Sequence, residues 1–219
     1  MDSIAVAYSE KQPLTPARFF AQLASFIFHP LFLGIYISAY FIFLQPDYFT
    51  GVSRQGRMQI LLIYIVNAVF FPLLSVLLCK ALGFIKSLFL QTRQERIILY
   101  SISMVFFFWT FYVFKNKAGV PAIMTQMSLG LFLSVIAAFI ANIYLKVSMH
   151  AVGVGGMLGL FVVLLYTSPE IANLPLILSV LIAGITCSAR LIVSDHTVRD
   201  IAWGFCLGFF CQWLAYWVL

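Results

Sequence analysis

Charge is what this chain has least of. Of its 219 residues, 9% are Asp, Glu, Lys or Arg and 63% are hydrophobic, with a mean hydropathy of +1.04. A soluble domain carries about 25% charged residues to keep its surface wet, so this composition excludes an ordinary water-soluble fold. Acid is scarcer than base, with seven acidic against thirteen basic residues and a net charge of +6. The cations are scattered over short loops. No run is long enough to follow a nucleic-acid backbone, so the expected partners are anionic headgroups or an anionic lipid substrate, and no nucleic acid. The four cysteines, Cys79, Cys187, Cys206 and Cys211, form no CxxC pair and read as small buried hydrophobes. There is no HExxH, no metal-spaced carboxylate cluster and no Walker loop, so neither a metal nor a cofactor is expected. The first eighteen residues are polar, with Glu10 and Lys11, and lack the basic region and cleavage site of a secretory signal. The first span is expected to act as the insertion signal.

What the chain does have is long uncharged runs. A crossing helix needs roughly 20 apolar residues. Seven segments qualify or come close: 19–44, 58–79, 97–114, 118–145, 147–169, 171–189 and 201–219. The expected fold is all-α, a polytopic transmembrane bundle of about seven spans, integral to the membrane. It divides into a polar tail at 1–18, two N-terminal spans at 19–79 and a membrane core at 80–219. Pro30 and Pro72 fall inside spans and are expected to kink them. A turn is expected over 167–175, where the sequence reads TSPEIANLP. Gly153, Gly155, Gly156 and Gly159 are expected to let helices approach closely. No internal repeat of a transporter kind is visible.

Polar residues gather at the span ends. Ser148 and His150 begin the fifth span. Arg190, His196 and Asp200 flank the start of the seventh. If that helix begins near His196, then His196 and Asp200 share one face and the carboxylate orients the imidazole. Arg190 offers a fork of donors for anionic oxygens. The loop before the third span carries Lys86, Arg93, Glu95 and Arg96. Two spans separate each of these clusters from the next, so all three emerge on one side. Together they outline a phosphate site. Taken singly, Arg190 also reads as a snorkelling cation, the His–Asp pair as a solvated helix start, and Ser148 as a helix cap.

These residues resemble the signatures of the type 2 phosphatidic acid phosphatase family. Its third signature is Ser-Arg, five residues, His, three residues, Asp. Arg190, His196 and Asp200 keep that spacing, with Ala189 in place of the serine. The second is Pro-Ser-Gly-His, and the chain has Val147, Ser148, Met149 and His150. The first is Lys, six residues, Arg-Pro. Lys86 and Arg93 match, Gln94 replaces the proline, and Arg96 is a rival for the arginine. The resemblance runs from about residue 80 to the C-terminus. It implies that His196 is the nucleophile, Asp200 its orienting partner and His150 the acid for the leaving group. Lys86, Arg93 or Arg96, Arg190 and Ser148 would bind the phosphate. The implied activity is metal-independent hydrolysis of a phosphate ester or pyrophosphate on a lipid, through a phosphohistidine. A bacterial inner membrane with an external site is implied too. The alternatives are a lipid phosphotransferase of the same mechanism, or a non-catalytic membrane protein or small transporter.

Overall fold

Backbone polar groups find no water in hydrocarbon, so a crossing segment must close its hydrogen bonds within itself. The computed structural model obeys this throughout. It describes residues 15–86, 92–193 and 196–219, without the side chain of Arg93, and these fold as an all-α bundle. The helices are α1 (Pro16–Ile27), α2 (Pro30–Ala39), α3 (Arg54–Ile65), α4 (Phe71–Ala81), α5 (Arg93–Asn116), α6 (Ala122–Tyr144), α7 (Met149–Thr167), α8 (Pro169–Val193) and α9 (Val198–Val218). A π-helical turn, Tyr40–Leu44, extends α2, and another, Val66–Phe70, joins α3 to α4.

Among the described residues six helices are long and apolar enough to cross a membrane, and a seventh span exists if the bent pair α1–α2 is counted as one. The chain is an integral membrane protein. Its outer surface is apolar, with Leu62, Leu77, Val105, Leu181 and Phe210 all exposed. Such a surface belongs against lipid rather than water. The interior is built around α6 and α7, where Met124, Val154 and Leu160 are sealed.

The prolines account for most departures from simple spans. The run 19–44 is not one continuous helix. It breaks by 58° between Ile27 and Pro30. His29 is extended and caps α2, with Pro30 in the first helical turn. Proline disfavours a helical residue before it and needs no donor at a helix start, so His-Pro ends one helix and begins another. In the second span the π-helical turn directly precedes Pro72, so the kink expected there takes the form of a local widening. The turn expected over 167–175 shrinks to Ser168. α8 begins at Pro169 and runs through Pro175. Pro175 has no N–H to offer the Ile171 carbonyl one turn back. The Tyr40 hydroxyl donates to that carbonyl at 3.1 Å and repairs the gap.

The third span is longer than the uncharged run 97–114. Thr92 and Glu95 form a capping box that starts α5 at Arg93. At the other end of the same loop, α4 closes with Gly83 at φ 81°, Gly83 N–H donating to Lys80 and Phe84 N–H to Cys79. Alternating chain direction from α5 onward puts the start of α5, the end of α6, the start of α7, the end of α8 and the start of α9 at one membrane face. The α2 helix runs beside α7, with Pro30 against Gly153 and Tyr40 against Phe161.

Candidate functional site

Glycine brings α7 and α9 together. A Cβ on Gly204 would stand 2.7 Å from the Ser148 carbonyl, and one on Gly159 would stand 2.6 Å from that of Phe209. Gly155 and Gly208 likewise face the carbonyls of Phe205 and Val152. Any side chain at these positions would force the backbones apart. The two helices start on the same face, so this packing sets their N-termini side by side, and Ser148 N–H donates to the Asp200 carbonyl at 3.3 Å. Gly153 has a different role, since it meets α2 at Pro30.

Ser148 is fully buried and caps α7, its hydroxyl accepting from Ala151 N–H at 3.5 Å. α9 begins two residues after His196, too late for a shared His–Asp helix face. Thr197, in extended conformation, is the cap, Val198 is the first helical residue, and His196 lies outside the helix. Asp200 is the third helical residue and closes a capping box by accepting from Thr197 N–H at 2.9 Å. The same oxygen, Oδ2, stands 3.6 Å from His196 Nδ1, with the two side chains 15% and 17% exposed. That is an ion-pair distance, slightly too long for a hydrogen bond. Asp200 thus faces the His196 ring through the helix cap rather than along a helix face.

Arg190 sits in the last turn of α8 and is half-buried. Its charge acts on His150, His196 and also His29. His29 has no place in the family signatures, yet the broken first span carries it to the site. Its ring meets His150 edge to face at 5.0 Å. His29 Nδ1 accepts from Leu31 N–H at 3.2 Å, which leaves Nε2 to carry the proton. His150 Nε2 lies 3.1 Å from the Ser25 carbonyl. A carbonyl can only accept, so that nitrogen donates. Lys146, just before α7, acts on His196. Burial is the main cause holding the His196 pKa below its ordinary value, followed by Lys146 and Arg190, while Asp200 opposes them. The ring is therefore neutral near pH 7. With Nδ1 toward Asp200, its Nε2 lone pair is the one available for attack.

The residues of the first signature are placed differently. The Lys86 side chain is exposed, and its backbone N–H donates to Glu95 Oε1 at 2.8 Å. Arg96 Nε donates to Asn142 Oδ1 at 3.0 Å, tying α5 to α6. The side chain of Arg93 lies outside the described residues. The contacts around the histidines thus join Ser148, His150, Arg190, His196 and Asp200, and they add His29, Ser25 and Lys146. Sequence reasoning passed over these three. The signal for His29 was the His-Pro pair, a helix-start pattern inside an apolar run. Among the described residues no group of three or more His, Cys, Asp or Glu could hold a metal ion. Among the described residues these side chains make a cationic cluster with one carboxylate, a composition that suits a phosphate oxyanion.

Comparison of the chain with protein-family models, with characterised proteins and with solved structures gives no match.

Proposed function

We propose that the chain is a lipid-phosphate phosphatase, similar in mechanism to the type 2 phosphatidic acid phosphatases. One observation carries the reading: the His196 imidazole stands 3.6 Å from the Asp200 carboxylate, and Arg190 acts on both that ring and the nearby His150. In the proposed reaction His196 Nε2 attacks phosphorus and the bond from phosphorus to the lipid oxygen breaks. His150, protonated at Nδ1 while Nε2–H stays on Ser25, gives that proton to the leaving oxygen. The phosphate dianion supplies the charge that stabilises a proton there. Water then attacks the phosphohistidine, His150 takes a proton from it, and free phosphate leaves. Arg190 and the Ser148 turn hold the equatorial oxygens. We assign the substrate to the bilayer, with the site on its external face.

The Ser25 contact favours a second reading. His150 held by α1, with Met149 in the family's glycine position, also describes a site that binds a lipid phosphate without turning it over. Phosphate release from a lipid phosphate in detergent micelles separates the two. The expected outcome is release by wild type, and loss by at least about 100-fold in His196→Ala, since the nucleophile is gone. Arg190→Lys keeps charge but loses the two-pronged contact, and on the order of 10-fold should go with it. Equal release by wild type and His196→Ala removes the proposed nucleophile. Vanadate binding without phosphate release favours the second reading.

A further inference from the structure

Behind the histidines lies a cavity of about 280 Å³, walled by α2, α4, α5, α6, α7 and α9. His29 and Met149 line it at the site face, Tyr100 lies further in, and Met127, Leu131 and Gln212 are deeper. We infer that this cavity holds the apolar chain of a single membrane lipid whose anionic head rests on Arg190 and the histidines. The inference rests on reading the histidine cluster as a lipid-phosphate site, and it adds the place where the rest of the lipid lies.

Four observations carry it. The first is size. Protein interiors have few voids larger than a water molecule, and an engineered apolar cavity of ~150 Å³ already takes up benzene. This one is nearly twice that. The second is continuity. His29 lines the cavity and also meets His150 edge to face, so one side chain belongs to both the head site and the chain site. The third is access. Leu73 lines the cavity from α4 yet is 45% exposed on the bilayer-facing surface. A chain can enter sideways without leaving hydrocarbon. The fourth is the Tyr100 hydroxyl. Tyr100 is 1% exposed, and its oxygen has no hydrogen-bond partner among the described residues. It lies two turns below the start of α5 on the site face, where a guest's first oxygen below its head would fall. A solvent-filled reading is weaker, because a buried water needs two to four polar partners and most of this wall is hydrocarbon.

The part of the wall formed by His29, α2, Tyr64 of α3 and α4 comes from the N-terminal 80 residues, which carry no family signature. The part of the chain that bears no catalytic motif would thus select the lipid.

The test uses full-length protein in phosphatidylcholine vesicles with phosphatidic acid carrying a diazirine midway along one acyl chain. After irradiation, the labelled residues are mapped by peptide mass spectrometry. Labels are expected on Met127, Leu131 or Met157, and excess unlabelled phosphatidic acid should remove them. Ala138→Phe fills the cavity from α6 and should cut this labelling by on the order of 10-fold. Val135→Phe is the second filling variant. If neither folds, the wild-type map alone decides. Labels confined to bilayer-facing residues such as Trp109 and Phe210 overturn the inference, as does cavity labelling that both filling variants leave unchanged. Phosphate release from a short-chain, water-soluble phosphate ester is measured in parallel. Cavity labelling without any release upholds the chain site and sinks the phosphatase. Release with bilayer-facing labels alone does the reverse.

Discussion

A neutral imidazole beside a carboxylate and two cations has a definite pH signature. His196 is faced by Lys146 from the segment before α7, His150 from α7, Arg190 from α8 and Asp200 from α9. Burial and the cations hold its pKa below the ordinary 6.5, and Asp200 pulls it back up. A lowered value means the neutral, attacking form persists below pH 6.5 and is lost only as pH falls through the lowered pKa. The acid limb of kcat/KM should therefore lie below the ordinary histidine range. Asp200→Asn removes the one group among the described residues that favours the proton, so the limb should move to still lower pH. The plateau should fall by at least ~10-fold, less than the ~10⁴-fold lost where such a carboxylate holds its histidine at hydrogen-bond distance. A limb that stays where it is in Asp200→Asn would show that the carboxylate does not act on this ring. Spacing and span-end position pointed to His150, Arg190, His196 and Asp200 and to Ser148 as a cap, and the structure shows Ser148 capping α7 and Asp200 beside His196. His29 was not legible, because hydropathy sees an uncharged run and not the turn a His-Pro pair makes within it.

At the scale of helices, the site depends on how closely α7 and α9 approach. Gly208 sits against the Val152 carbonyl. Gly208→Val should push the helices apart, cost about 1–3 kcal/mol, and reduce activity beyond the loss of stability, because Ser148 and Asp200 would separate. Gly184 is the control. A Cβ there meets nothing within 4 Å, so Gly184→Ala should leave both properties unchanged or gain slightly in helix stability. Thermal unfolding in detergent, with phosphate release on the same samples, checks the pair. Indistinguishable behaviour of the two variants contradicts the close-packing account. The glycine cluster of α7 was readable as a packing surface, and its partner on α9 could have been, since Gly204 and Gly208 stand four residues apart as a GxxxG face, but the sequence reading passed it over. The register of His196 was also misplaced. An i, i+4 pair looks helical in sequence, whereas Thr197 is the better cap and takes Asp200 into its own box.

For the molecule as a whole, the helix bundle was readable from hydropathy and the places of its bends from Pro30 and Pro72, but not that the first bend would break its span by 58°. Span direction puts Lys86 and Thr197 at the site face and Ala118 at the opposite one, and all three are exposed. Arg190 is assigned to substrate, and even without it the site-face ends of the spans carry more positive residues than the opposite ends, which on charge alone would put the site inside. The proposed external site makes the choice testable. A membrane-impermeant maleimide applied to intact cells should label Lys86→Cys and Thr197→Cys and spare Ala118→Cys. Labelling of Ala118→Cys alone would place the site inside, and labelling of only one of the first two would break the shared face.

The most direct measurement of the central claim is capture of the covalent intermediate. Protein turning over a phosphorylated lipid is quenched in alkali, which preserves phosphohistidine, and its peptides are read by mass spectrometry. The expected result is a phosphoryl group on His196 in wild type, longer-lived in His150→Ala, where water attack lacks its base, and absent from His196→Ala. Phosphate release by wild type with no phosphoryl group on His196 at any quench time would contradict the mechanism.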